Sequence, residues 1–330
     1  MIDTALITDR QPVIGATLDD LNMAAVGRHI LIAQERGRYE GSAEPLDYLR
    51  QFSGLIDIDG TAVPTLASIL MFATEPERWL TACGADIAQF SKPHAHPTDL
   101  LFSTQVRGNI TEVIDRTVDL LWARSEHRYR IEGTERIEEH AYAQHVLREL
   151  TVNALCHRDW RYVGSFVRIQ MFPAYIEWVS PGGLPPGVRT DNLREAQTSR
   201  NPALAQFLYH AGRVEKFGMG IDMVLDTLAA WGCDPPVLRD DQHFFSFRVS
   251  GKRLSTAARR VLPNLSERQL RVLAEIERRQ VCTAADLVSA LDLHPRTIQR
   301  EIKVLLDQNL VQDNGSKTHG RSYSPVAEQD

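Results

Sequence analysis

Glu149, Asn153 and His157 recur at four-residue intervals in a run whose neighbouring positions include Val146, Leu147, Leu150 and Leu155. Four residues turn an α-helix by about 400°, so the three polar side chains share one slowly drifting stripe. Flanked by apolar groups, that stripe suits the wall of a cleft better than open solvent. A carboxylate and a carboxamide so placed can hold a hydrated Mg²⁺, because that ion takes few protein oxygens, keeps several waters and fills its other positions with phosphate. The carboxylate beside it is then positioned as a general base. Gly182-Gly183 lets backbone come close to a base or ribose, and Gly218-Met-Gly220 at the start of a helix offers amide N–H groups and a positive dipole end to phosphate. The plainer reading stands beside this one: Glu149 and Asn153 brace a buried helix, and the glycines are turns. His157 has two readings as well, a bond to phosphate or a lid residue, or a packed histidine holding the Arg158-Asp159 turn.

A second constellation lies in His294-Pro-Arg-Thr-Ile-Gln-Arg-Glu-Ile-Lys-Val-Leu-Leu306. Ile298, Ile302 and Leu305 fall on one helical face, with Arg296, Thr297, Gln299, Arg300 and Lys303 elsewhere. Arg pairs with guanine edges and Gln with adenine, while Lys303 suits a phosphate contact. Lys317, His319 and Arg321 come next, in a segment that can straddle the neighbouring backbone or minor groove. The alternative is an ordinary solvated face on a module that binds protein or forms a dimer.

The elements that must carry these residues are legible in outline. Helical spacing covers Leu21 to Glu35, Leu46 to Phe52, Pro64 to Phe72 and Thr111 to Arg124, with strand alternation near Gly54 to Gly60 and over Ala85 to Phe90. From Tyr142 the order is a helix to His157, strands Ser165 to Phe172 and Tyr175 to Ser180, a glycine loop, a helix from Pro202 to His210, another to Trp231, and a strand Phe244 to Val249. That order predicts a two-layer α/β sandwich. After Ser250 come helices Ser266 to Arg279, Ala284 to Leu291 and Pro295 to Gln308, then a hairpin of Leu310 to Gln312 and Ser322 to Ser324. Ser266 with Gln269 forms a capping box and Thr283 with Asp286 a weaker one. Three helices and a hairpin describe a winged helix, similar to regulators of the DeoR-like kind. The expected division is 1–45, a helical segment; 46–135, a small α/β module; 136–251, the domain with the first constellation; and 252–330, the winged helix.

Four stretches together resemble a known family: Glu149-Leu-Thr-Val-Asn-Ala-Leu-Cys-His-Arg-Asp159, Ser180-Pro-Gly-Gly-Leu-Pro185, Arg200-Asn-Pro202 and Glu215-Lys-Phe-Gly-Met-Gly-Ile221. They are similar to the signature of transcriptional regulators with a divergent GHKL ATP-binding domain. Such proteins often begin with a Schlafen AlbA-type domain and are sometimes labelled as like the C-terminal part of a RecG-type helicase. The resemblance runs from about Leu49 to Val249. It implies a Bergerat-type sandwich that binds ATP or another adenine nucleotide with Mg²⁺. Glu149 matches the water-activating acid, Asn153 the Mg²⁺ ligand, Gly182 and Gly183 the loop beside adenine, residues 187–217 a mobile lid, and Gly218 and Gly220 the phosphate loop. His157, Ser180, Arg200, Asn201 and Lys216 complete the expected nucleotide set. One departure stands out: GHKL enzymes place an Asp ahead of the first glycine to read the adenine amino group, and this chain has Ser180-Pro181. The AlbA-type domain is expected to be reduced or absent.

Composition narrows the classes further. The 330 residues are 43% hydrophobic and 24% charged, an ordinary folded chain. No apolar run reaches the roughly 20 residues of a membrane helix. The first ten residues have no basic n-region, so a cytoplasmic location is expected. Cys83, Cys156, Cys233 and Cys282 form no C-x-x-C pair and read as reduced thiols. The net charge of −6 conceals an asymmetry: residues 252–330 hold 13 Lys+Arg against 10 Asp+Glu, leaving 24 against 33 over 1–251. No stretch fits G-x-x-x-x-G-K-[ST], which disfavours a true helicase. His94 and His96 read as a surface loop. Three functions fit these features: an ATP-responsive regulator that binds double-stranded DNA as a homodimer, an ATPase whose output is hydrolysis, or a scaffold without nucleotide whose winged helix acts alone.

Overall fold

The computed structural model describes residues 9–132, 135–195, 198–214, 219–254, 259–260, 266–291, 293–307, 310–314 and 321–326. The chain divides into two compact units, Met1–Arg260 and Val261–Asp330.

The first unit opens with α1 (Met23–Glu35), α2 (Pro45–Gln51), a hairpin of β1 (Leu55–Ile58) and β2 (Thr61–Pro64), and α3 (Leu66–Phe72). Asn22 starts α1 by accepting the Ala25 N–H at 2.9 Å, and Gly37, at φ 62°, takes the left-handed turn just past the helix. Next come β3 (Gly84–Phe90), β4 (Leu100–Arg107), α4 (Ile110–Arg124), and a second hairpin of β5 (His127–Glu132) and β6 (Glu135–His140). The remainder is α5 (Gln144–Cys156), β7 (Val167–Met171), β8 (Tyr175–Pro181), α6 (Pro202–His210), α7 (Met219–Ala230), β9 (Val237–Asp240), β10 (Phe244–Ser250) and β11 (Arg259–Arg260).

Six of these strands form one mixed sheet in the order β4-β3-β7-β8-β10-β9. Only β3 and β7 run parallel. Register aligns Ile87, Ile169, Trp178 and Phe247 in a continuous cross-strand row, and all four are buried. Each contributes about 1.5–3 kcal/mol by leaving water. The helix α5 lies on this row: Val146, Leu147, Leu150 and Leu155 face the core, and Trp178 Nε1 donates to Thr151 Oγ1 at 3.1 Å. With α4 and α7 beside it, α5 completes the second layer, so the α/β sandwich is present as expected.

The sheet crosses the division expected at 135/136. Strands β3 and β4 from the 46–135 segment pair into the strands beyond α5, and one core runs through both parts. The separation expected at 251/252 falls instead at Arg260/Val261. No described helix is long and apolar enough to cross a membrane. Cys83 and Cys156 are buried and Cys233 is half-buried; none is in a disulfide, and burial raises the Cys83 thiol to about 12.

The second unit holds α8 (Glu267–Arg279), β12 (Cys282–Thr283), α9 (Ala284–Leu291), α10 (Pro295–Asp307), β13 (Val311–Asp313) and β14 (Ser322–Pro325). Both capping boxes are reciprocal: Ser266 with Gln269, and Thr283 with Asp286, whose carboxylate takes the Thr283 N–H at 2.8 Å. The expected hairpin gains a third strand, β12, giving the order β12-β14-β13. Val272, Ile276, Leu287, Ile298, Ile302, Leu305 and Tyr323 make a core of its own.

Candidate functional site

Between α5, the start of α7, strands β8 and β10, and the segment 182–199 lies a cavity of about 410 Å³. That size lies within the usual range of small-molecule sites. Seven residues expected from the sequence line it: Glu149, Asn153, His157, Ser180, Gly182, Gly183 and Gly220. Leu150, Trp178, Phe245 and Phe247 form its apolar floor, and Val188, Leu193, Thr198 and Ser199 come from the segment expected as a lid. Arg194 ties that segment to α7 through Asp226 at 3.1 Å and Asp222 at 3.6 Å. Lys216 and Gly218 lie outside the described residues.

One turn apart on α5, Asn153 Nδ2 donates to Glu149 Oε1 at 2.9 Å. This bond consumes one side of the carboxamide and leaves its carbonyl oxygen without a donor among the described residues. The opposite wall is tight. A Cβ added at Gly220 would stand 1.8 Å from Glu149 Oε1, so only glycine lets the α7 backbone approach the carboxylate this closely. A carboxylate, an unclaimed amide oxygen and a helix N-terminus therefore converge, a donor set that fits a hydrated Mg²⁺ and phosphate. No Lys or Arg lines the cavity among the described residues.

Ser180, Arg200 and Asn201, expected on the nucleotide, are engaged within the protein. Ser180 Oγ donates to the Ala154 carbonyl at 2.8 Å, which docks β8 against α5. Asn201 Nδ2 donates to the Cys156 and Arg158 carbonyls at 2.7 and 2.8 Å and so satisfies the orphan C-terminal end of α5. Arg200 and Asn201 do not line the cavity. The Arg200 fork bridges Asp159 Oδ2 and the Gly183 carbonyl, each at 2.6 Å. The two glycines have structural causes as well. Gly182 sits at φ 91° with the Asp159 Cβ 2.4 Å from where its own would be, and a Cβ at Gly183 would meet Asp240 Oδ1 at 2.6 Å.

Asp159 is the residue that sequence reasoning passed over. It is buried, accepts a forked bond from Arg161 and receives Arg200. Burial by itself would raise its pKa, but the Arg161 hydrogen bonds and the two guanidinium charges outweigh that and hold it below the usual carboxylate range. Its only local signal was the sequence Arg158-Asp-Trp-Arg161. Burial, reinforced by the Arg200 charge, pulls His157 down to about 4, so the imidazole that faces the cavity is neutral near pH 7. Its Nδ1 lies 3.5 Å from Ser199 Oγ.

In the second unit, α10 buries Ile298, Ile302 and Leu305 as expected, and Glu301 with them. Glu301 accepts from Gln269 Nε2 at 2.9 Å and from Arg300 at 2.8 Å. Arg296, Gln299, Arg300 and Lys303 are exposed and Thr297 is half-buried. The Arg296 guanidinium has no partner among the described residues. Arg321 is exposed and pairs with Asp313 across the hairpin. Lys317 lies outside the described residues. Elsewhere, His94 and His96 occupy an exposed loop, where His96 bonds Thr98. No group of three or more metal-type ligands occurs among the described residues.

Two family models match the chain. Residues 164–249 match the one described as "Putative ATP-dependent DNA helicase recG C-terminal", and residues 264–322 match the MarR family. Among solved structures, the DIP2311 protein from Corynebacterium diphtheriae is similar in fold, with a TM-score of 0.58 at 20% identity. The similarity covers 97% of this chain and 64% of that one, so the chain spans less than two thirds of that protein's length. No curated protein matches the chain.

Proposed function

Since the chain joins a RecG C-terminal-like, ATPase-type domain to a MarR-family winged helix, we propose that it is a nucleotide-responsive regulator of double-stranded DNA. In this reading the cavity takes Mg-ATP or another adenine nucleotide. Asn153 Oδ1 faces the metal, the start of α7 at Gly220 faces phosphate, and the floor of Leu150, Trp178 and Phe247 receives the base. Bound Mg²⁺ would neutralise phosphate charge that the described side chains do not. The observation that carries the reading is the Asn153 carboxamide, oriented by Glu149 so that its oxygen remains for a ligand.

The winged helix reads DNA through Arg296, Gln299 and Arg300 at base edges and Lys303 at phosphate, with Arg321 beside them on the hairpin. Two copies in the cytoplasm would meet a two-fold site. Nucleotide can move DNA affinity only by the difference in its own affinity for the two conformations, about 1–3 kcal/mol for a typical coupling. Calorimetry of wild type and Asn153→Ala with Mg-ATP tests the first half. Heat in wild type that the variant lacks supports the site, and no heat in either favours a scaffold. Gel shifts with and without Mg-ATP test the second half.

Hydrolysis as the output is the second reading, and the place of Glu149 one turn from Asn153 favours it. Steady phosphate release that Glu149→Gln abolishes, with binding retained, would establish it.

A further inference from the structure

Away from the nucleotide cavity, the first unit holds a second one of about 360 Å³ between α1, α4 and the turn after α6. The N-terminal ends of two long helices meet there. Asn22 and Ala25 of the first turn of α1, and Asn109 and Glu112 of the first turn of α4, all line it. Each helix end carries a partial positive charge and N–H groups beyond those its cap satisfies. Two guanidinium groups add to this field. Arg28 is exposed and has no partner among the described residues, while Arg213 reaches Asp115 at 2.6 Å. Glu112 and Asp115 are the acidic groups nearby.

The independent pointer to a ligand is His29, which lines the cavity though it is 6% exposed. A buried chain sets its tautomer. The Gln206 amide nitrogen stands 2.7 Å from His210 Nε2, so that ring nitrogen accepts and His210 Nδ1 carries the proton. Nδ1 donates to Tyr48 Oη at 2.6 Å, and the Tyr48 hydroxyl then donates to His29 Nε2 at 2.7 Å. The His29 proton is left on Nδ1, which makes no hydrogen bond to any described residue. A donor held this way in a cavity with an uncompensated Arg calls for an oxyanion.

We propose that this cavity is a second ligand site, selective for a phosphate group, free or at the end of a phosphomonoester. Its position gives it reach: Arg213 lines this cavity, and the next residue, Val214, lines the nucleotide cavity. The site does not depend on nucleotide binding at the first cavity, and its test separates the two. Orthophosphate and glycerol 3-phosphate are titrated into the full chain at constant ionic strength and followed by calorimetry. The proteins are wild type, Arg28→Glu, Arg28→Lys and Asn153→Ala. The expected result is binding in wild type and Asn153→Ala, at least a tenfold loss in Arg28→Glu, and partial recovery in Arg28→Lys. Tighter binding of the ester assigns the site to a phosphorylated metabolite, and the reverse to the free anion; both support the site. Loss in Asn153→Ala with Arg28→Glu unaffected would assign the phosphate to the first cavity and overturn the proposal. Absence of binding in wild type, or equal binding in all four proteins, would overturn it too. Arg28 is exposed, so its variants keep the fold, and unchanged melting temperatures verify that.

Discussion

Arg200 and Asp159 lie 2.6 Å apart and hold two loops in register, because the other arm of the same guanidinium takes the Gly183 carbonyl. Removing Arg200 does not orphan the carboxylate, since Arg161 still donates to it. Arg200→Ala should therefore cost about 1–3 kcal/mol rather than the larger sum of a buried unpaired charge. Lys has no planar fork and cannot serve both acceptors in this geometry, so Arg200→Lys should recover little. Urea denaturation of the three proteins checks both statements.

The two glycine walls of the cavity should respond differently to alanine. At Gly182 the positive φ and the Asp159 Cβ both oppose a side chain, and Gly182→Ala should lower stability by about 2 kcal/mol or more. At Gly220 the obstacle is the flexible end of Glu149, so Gly220→Ala should melt within a few degrees of wild type. It should nevertheless turn Glu149 away from Asn153 and weaken Mg-nucleotide binding at least tenfold. Paired melting curves and calorimetry separate the two cases.

Asp9 makes acid stability asymmetric. Burial raises its carboxyl from 3.8 to about 6, although the Leu204 N–H donates to it at 2.5 Å. The folded state then binds the proton more tightly than the unfolded chain. Its contribution is complete below pH 4 and is lost as pH rises to about 6, on the order of 3 kcal/mol. Asp9→Asn should remove this dependence, so the stability of the variant relative to wild type should improve between pH 4 and pH 7. Denaturation at both pH values reads the difference. His157 acts in the opposite sense: its depressed pKa favours the fold above about 6.5, and that stability fades as pH falls towards 4.

On the winged helix, Arg296→Ala is the clean test of DNA contact because no described partner holds its guanidinium. It should weaken binding by about 1–3 kcal/mol if it reads a base. Arg300→Ala also removes a partner of the buried Glu301, so its effect on stability must be measured beside its effect on DNA. Lys303→Ala should weaken all sequences alike and reduce the salt dependence of binding. Unchanged binding by the Arg296→Ala, Arg300→Ala double variant would remove α10 from the groove.

What could be read in advance depended on local patterning. Glu149 and Asn153 were visible because a four-residue interval on a helix is a contact in space, and Ile298, Ile302 and Leu305 because helical periodicity survives folding. Strands β4 and β9 were not visible. They are the two edges of the sheet and largely exposed: β4 alternates in burial but sets polar Ser103, Thr104 and Gln105 in a row, and β9 is only four residues long. The β5–β6 hairpin escaped for a different reason: it is dominated by charge, and Glu135-Arg-Ile-Glu-Glu-His140 holds a single apolar residue. Ser180 and Asn201 were assigned to a ligand, yet their acceptors lie 26 and 45 residues away, a separation that no local pattern encodes.

The buried row of Ile87, Ile169, Trp178 and Phe247 has a practical consequence for anyone trimming the chain. The stretch matched from 164 to 249 contains three of those four side chains but neither the neighbouring strand that supplies the first nor the helix that covers them. Expressed by itself, it would present an uncovered oily slab and an open parallel edge, and would precipitate rather than bind anything. Its catalytic-looking carboxylate would have been cut away as well.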